Sequence, residues 1–255
     1  MTTTDYSALD RPEISMNSFY PRRNWTSTPA GAQDFAIPVA EDISLSCRFF
    51  PVANTQPTIL FFYGNGETAA DYDNIAPIYN QVGVNFFVAD YRGYGQSGGL
   101  PSFGTMLDDG HVVRDELVKA LSSGGYAGDL FVMGRSMGRH AAFELATNSP
   151  EGELKGVIIE SGRPILGNFC YGVEPAVAEQ LEAGYRAKVA SIVLPALVIH
   201  GEEDTLAPVE QAREMYKSFA SEQKRILTIP GAGHNDLLYR GINEYFTAIR
   251  EFVGV

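Results

Sequence analysis

The sequence predicts an α/β fold with one mostly parallel central sheet covered by helices on both faces. Three observations predict it. Short, continuously apolar runs recur along the chain (ILFFY, FFVAD, LFVMG, GVIIE, ALVIH), as expected of strands buried on both faces. Helix-like segments separate them, and strands that alternate with helices form parallel crossovers. At 255 residues, 45% hydrophobic and 20% charged, the chain has a globular composition and is long enough for one domain with a full core.

Taken in order, segment 1–33 carries Pro12, Pro21 and Pro29 and is expected to be extended, either wrapping a single domain that spans 1–255 or partly mobile beside it. Strands are expected at 44–50, 58–63, 85–90, 129–134, 156–160, 196–200 and 225–229, and helices at 69–81, 105–121, 137–147, 208–219 and 242–252. The 35 residues from 161 to 195 are too many for a simple crossover. Residues 161–190 are therefore expected to form a small cap insertion over the site, because long insertions are often lids. Its apolar residues Ile165, Leu166, Phe169, Tyr171, Val173 and Val177 suit either an acyl-binding surface or packing on the domain's own core.

Bulk properties exclude several classes. A net charge of −12 repels phosphate backbones and anionic lipid heads, so no nucleic-acid partner is expected. No apolar run approaches the roughly 18 residues of a membrane span. The stretch MTTTDYSALDRPE has neither a basic nor an apolar signal region. Cys47 and Cys170 form no metal-ligand spacing, so a reduced, cytoplasmic protein without a metal is expected.

The chemistry centres on LFVMGRSMGRHAAFELA, which holds the G-x-S-x-G pattern Gly134–Gly138. A second match occurs at Gly95–Gly99, so setting must choose between Ser136 and Ser97. In a nucleophile elbow a strand ends, the serine takes a strained backbone conformation, and a helix begins at once. Leu130–Met133 supply such a strand and HAAFELA such a helix, whereas Leu100-Pro101 follows Ser97. Ser136 is the expected nucleophile. The Met137 amide, at the helix N-terminus, is an expected oxyanion donor.

The chain has four histidines. His200 sits within an apolar strand, His111 near the start of a charged helix, and His140 one turn beyond Ser136, pointing along its helix. His234, in the loop PGAGHND after the last strand, is placed to swing over the sheet's carboxyl edge as general base. Glu202, Glu203 and Asp204 follow the strand ending at His200. Asp204 is the expected orienting acid, with Glu160 as the alternative at the end of the preceding strand. The order Ser–Asp–His matches one known arrangement. The loop YGNGE after the 58–63 strand offers the Asn65 amide as second oxyanion donor.

With these motifs in place the chain resembles the α/β-hydrolase superfamily over essentially its whole length. It is most similar to the group with HGN, DYRGYGxSxG and GRSMG motifs, which includes protein depalmitoylases and many bacterial hydrolases. Here those motifs read YGNGE, DYRGYGQSGG, GRSMG, HGEED and GAGHND. The resemblance implies the α/β-hydrolase fold and the triad Ser136, Asp204 and His234. It also implies that Ser97 lies in a structural loop, with Asp90 and Arg92 tying strand ends together. Three departures stand out. Tyr63 replaces the usual His, Arg139-His140 replaces small residues after the elbow, and no cysteine precedes Cys47, so no membrane anchor is carried over. The expected activity is cofactor-free hydrolysis of a small-molecule or acyl ester or thioester. A peptidase or amidase with the same triad, or a non-catalytic binder of the same fold, are the alternatives.

Overall fold

The apolar runs assemble into an eight-stranded sheet in the computed structural model, which describes residues 4–255. The strands are β1 (Gln33–Ala40), β2 (Ile43–Phe50), β3 (Thr58–Phe62), β4 (Asn85–Ala89), β5 (Leu130–Arg135), β6 (Gly156–Glu160), β7 (Ala196–Gly201) and β8 (Lys224–Ile229). Their order is β1-β2-β4-β3-β5-β6-β7-β8. The β1–β2 and β2–β4 pairs are antiparallel and all others are parallel. β3, β4, β6 and β7 are buried along their whole length, which is why they read as unbroken apolar runs rather than alternating ones.

Among the described residues seven α-helices accompany the sheet: α1 (Pro12–Ser18), α2 (Ala76–Gln81), α3 (Phe103–Ser123), α4 (Arg139–Asn148), α5 (Pro175–Ala190), α6 (Val209–Ser218) and α7 (Leu237–Val253). No helix among the described residues is long and apolar enough to cross a membrane.

The departures from expectation have local causes. β1 carries no strand signal in the sequence because it is an edge strand: only Ile37 is buried, and Pro38 sits at a shift of register, a combination that hides a strand. The helix expected over 69–81 is a 3-10 turn at Ala69–Tyr72 and then α2, because Pro77 is tolerated only in a first turn. Gly241, non-helical in its φ/ψ, kinks α7, which starts at Leu237, ahead of the 242–252 helix that the sequence predicts. A Cβ there would lie 2.7 Å from Ile229 Cγ2. Within segment 1–33, expected to be extended, Ser7–Leu9 is a 3-10 turn and Pro12–Ser18 a helix. Pro12 occupies that helix's first turn and so marks a helix start rather than extended chain. Residues 161–190 contain a 3-10 turn at Gly167–Cys170 and the whole of α5. Phe19 meets Phe169 edge to face with centroids 5.2 Å apart, so the N-terminal segment and the insertion pack together. Leu166 and Phe169 are buried, whereas Tyr171 is exposed.

Candidate active site

In a parallel sheet all carboxyl ends lie on one edge, and the loops leaving them meet there. Ser136 follows β5, Gly64–Gly66 follow β3, Asp204 follows β7 and His234 follows β8. The turn at Ser136 is tight. β5 ends at Arg135, a 3-10 turn takes Ser136–Gly138, and α4 begins at Arg139. Ser136 has φ +50°, a left-handed conformation costing on the order of 1–3 kcal/mol for a residue with a side chain. Space accounts for the glycines. A Cβ on Gly134 would lie 2.7 Å from both Ala142 Cβ and Arg139 Cα, and one on Gly138 would lie 2.0 Å from the Phe62 carbonyl oxygen. The second clash also shows that the end of β3 abuts the elbow.

His234 Nε2 lies 2.8 Å from Ser136 Oγ, and its Nδ1 lies 2.7 Å from Asp204 Oδ2. The structure thus brings the three side chains into one line. Asp204 is buried. Its Oδ1 accepts from the Leu206 and Ala207 amides at 2.9 and 2.7 Å, a turn that aims the carboxylate. Burial alone would raise this carboxyl. Hydrogen bonds from His200, His234 and the Ala207 amide outweigh it and hold the carboxyl well below the usual range. Asp204 is therefore ionised at neutral pH. His200 sits behind it, fully buried, with Nε2 2.7 Å from the Ala207 carbonyl and 3.3 Å from Asp204 Oδ2.

The competing residues lie elsewhere. Glu202 accepts from Thr228 Oγ1 at 2.8 Å. Glu160 is engaged by Arg135 and Tyr245. His111 pairs with Glu144, in the middle of α3 rather than near its start. His140 is buried, with Nδ1 2.6 Å from Tyr185 OH. Arg92 grips Asp109 of α3 with two bonds of 2.7 Å, so it ties its loop to a helix and not to a strand end. Asp90 does link strand ends, accepting from Tyr63 OH at 2.7 Å.

Among the described residues the Asn65 amide donates to no hydrogen bond, while the Asn65 side chain is fully engaged. Its Nδ2 donates to the Ser18 carbonyl at 2.7 Å, and its Oδ1 accepts from the Tyr20 amide at 2.9 Å and Tyr94 OH at 2.6 Å. The residue expected as a backbone donor is thus also one of the attachment points of the N-terminal segment. Met137 is buried in the turn that opens the way to α4. Among the described residues no group of three or more His, Cys, Asp or Glu is placed to hold a metal ion.

Two arginines flank the elbow, and neither was singled out as a site residue. Arg139 is buried and donates to the carbonyls of Ser136, Arg163 and Ile165 at 2.7–2.9 Å, stitching the elbow to the start of the insertion. Burial lowers its pKa. Arg135 meets Glu67, Glu160, Asn235 and the His234 carbonyl. The sequence held one signal for this second cluster: Arg135 and Glu160 end adjacent apolar runs, and they are register partners in β5 and β6.

The family described as serine aminopeptidase, S33, matches the chain over residues 53–164 and 177–238. The Salmonella typhimurium protein named uncharacterized protein YfhR is 24% identical over 262 residues, covering 95% of this chain and 89% of the relative. Mouse alpha/beta hydrolase domain-containing protein 17C is 28% identical over 233 residues, covering 84% of this chain and 65% of its own length. Among solved structures, the Pyrococcus furiosus esterase Pf2001 superposes with a TM-score of 0.69 at 21% identity, over 91% of this chain and 97% of that one. At that identity the likeness speaks for the fold.

Proposed function

The chain belongs to the serine aminopeptidase S33 family of α/β hydrolases, and we propose that it cleaves a carboxylic ester or thioester through an acyl-enzyme on Ser136. One observation carries this reading: the continuous contact line from Ser136 Oγ through His234 to Asp204, at 2.8 and 2.7 Å. In the reaction His234 Nε2 accepts the Ser136 proton as the hydroxyl oxygen attacks the acyl carbonyl. Asp204 holds the Nδ1 proton in place and stabilises the imidazolium that forms. The Asn65 and Met137 amides donate to the tetrahedral oxyanion, each such donor being worth on the order of a hundredfold or more in rate. His234 then gives its proton to the leaving alcohol or thiol. Water, deprotonated by the same imidazole, attacks the acyl-enzyme, and its collapse frees the acid and Ser136. No step requires a cofactor.

The likeness to the Pyrococcus furiosus esterase favours an oxygen leaving group, while the aminopeptidase name of the family makes an amine the competing one. The test is labelling with a fluorophosphonate probe, mapped by mass spectrometry in the wild type and in Ser136→Ala. A panel of esters, acyl thioesters and aminoacyl anilides follows. Labelling at Ser136 that vanishes in the variant, with turnover of esters or thioesters, is the expected result. Labelling elsewhere would overturn the mechanism, and turnover of anilides alone would overturn the substrate class.

A further inference from the structure

The residue between Gly134 and Ser136 is free to be anything as far as the G-x-S-x-G pattern is concerned. Here it is an arginine whose side chain is nearly enclosed, with 11% of its surface exposed. We propose that Arg135 is a positioning residue for the hydrolysis, one guanidinium that clamps the oxyanion loop and the histidine loop to the nucleophile elbow. The proposal rests on the hydrolytic reading of the site.

The contacts divide by direction. Toward the loop after β3, Nη1 donates to Glu67 Oε1. The other oxygen of Glu67 accepts from the Gly64 amide at 2.9 Å and from Tyr72 OH at 2.8 Å. The Gly64 peptide directly precedes the Asn65 amide, so Glu67 fixes the orientation of that donor. Toward the loop after β8, Nη2 donates to Asn235 Oδ1 at 2.8 Å and to the carbonyl of His234 itself at 3.3 Å. Toward the sheet, Nε donates to Glu160 Oε1 at 3.0 Å, and Tyr245 OH donates to Glu160 Oε2 at 2.7 Å. The backbone of Arg135 leads straight into Ser136. One rigid plane therefore references nucleophile, base and oxyanion donor to each other.

The loop after β3 is shaped to this guanidinium. A Cβ on Gly64 would lie 2.5 Å from Arg135 Nη1, so the glycine before Asn65 leaves the room the guanidinium fills, and a larger residue would displace it. The fork of five donors matters as much as the charge. Lysine has one nitrogen and could not reach three directions at fixed angles. Burial opposes the charged form, but the carboxylates of Glu160 and Glu67 outweigh it, and the pKa is raised. The guanidinium stays charged at every working pH.

A purely structural role, in which Arg135 only neutralises the buried Glu160 and the half-buried Glu67 carboxylates, makes a different prediction. Arg135→Lys and Arg135→Gln are compared with the triple variant Glu67→Gln/Arg135→Gln/Glu160→Gln, which leaves no charge unpaired and guards against simple unfolding. Asn235→Ala removes only the tie to the histidine loop. For variants that melt cooperatively, kcat and KM are measured on the best ester. Amide hydrogen exchange is followed in peptides covering 63–68 and 231–237. A misplacement of about 1 Å costs on the order of a hundredfold, so kcat is expected to fall about 10- to 100-fold with KM changed less than about threefold. Arg135→Lys should not restore it, and exchange should speed up in both loops. A folded triple variant with wild-type kcat, or loops that exchange as in the wild type, would overturn the proposal. Exchange decides the clamp even where the wild type neither labels nor hydrolyses, and in that case only the hydrolytic reading falls.

Discussion

Two segments of this chain carry the same five-residue pattern, Gly134–Gly138 and Gly95–Gly99, and they do opposite things with it. In the first, the serine takes the left-handed φ of +50°. The flanking glycines are there because a Cβ on either would strike backbone or side chain at 2.7 Å or less. In the second, glycines take the left-handed conformation, Gly95 at φ +53° and Gly99 at φ +71°, and the serine does not. Ser97 is fully buried, and its Oγ accepts from the Ser46 amide at 2.8 Å. One segment concentrates strain on a half-exposed hydroxyl beside a histidine. The other lets glycine absorb the turn and uses the hydroxyl to hold β2. The pattern sets what the backbone can do, and the element that follows decides which of the two it does.

The comparison can be broken at several points. Ser136→Ala should lower kcat by roughly 10⁴- to 10⁶-fold with little change in stability. Ser97→Ala should leave activity within a few-fold while removing about 1 kcal/mol of stability, because the part-buried Ser46 amide loses its partner. Steady-state kinetics and urea unfolding read the two, and equal activity losses would erase the distinction. Next in size, Asp204→Asn should lower kcat by about 10⁴-fold in an otherwise intact fold, by favouring the wrong imidazole tautomer. A loss of under tenfold would mean that His234 is oriented from elsewhere.

The glycines give a sharper contrast. Gly138→Ala places a Cβ 2.0 Å from the Phe62 carbonyl and should cost about 3 kcal/mol or more. The nearest atom to a Cβ on Gly98 is 3.6 Å away, so Gly98→Ala should stay within about 0.5 kcal/mol of wild type. Similar costs at both would mean that the elbow has slack the structure does not have.

The last effect is pH-dependent and belongs to the second segment. A Cβ on Gly95 would lie 1.8 Å from Asp90 Oδ2, so the Asp90 carboxyl fills the space left by that glycine. Burial, against hydrogen bonds from Tyr63 OH and the Ala69 amide, pushes its pKa from 3.8 up to about 7. The folded state then holds this proton more tightly than the unfolded chain. The resulting stability is complete below about pH 4 and is lost as pH rises through about 7, at no more than about 1.4 kcal/mol per pH unit. Asp90→Asn should flatten that slope in urea unfolding between pH 4 and 8. An unchanged slope would place the titration on another group.

Legibility followed the range of the signal. The buried strands were readable because burial on both faces writes itself into consecutive residues. β1 was not, because an exposed edge strand with Pro38 leaves no periodic trace. The meeting of Ser136, Asp204 and His234 is legible from their places just after strand ends. His200 gave no hint that it would stand behind Asp204, since a histidine in an apolar run signals only burial. Arg135 stayed hidden because its partners Glu67 and Asn235 are 68 and 100 residues away, and no local period records such pairings.

What the sequence determined by itself is therefore the alternation of strand and helix, the parallel sheet, and the edge on which the chemistry-bearing loops gather. Each of these follows from hydrophobic periodicity and turn chemistry within a few residues. Tertiary structure alone decided which of two identical patterns strains its serine, that the Asn65 side chain anchors the N-terminal segment, and that one guanidinium joins three loops. Those outcomes depend on atoms brought together from distant parts of the chain, where hydrogen-bond geometry and steric exclusion act only after the core has closed.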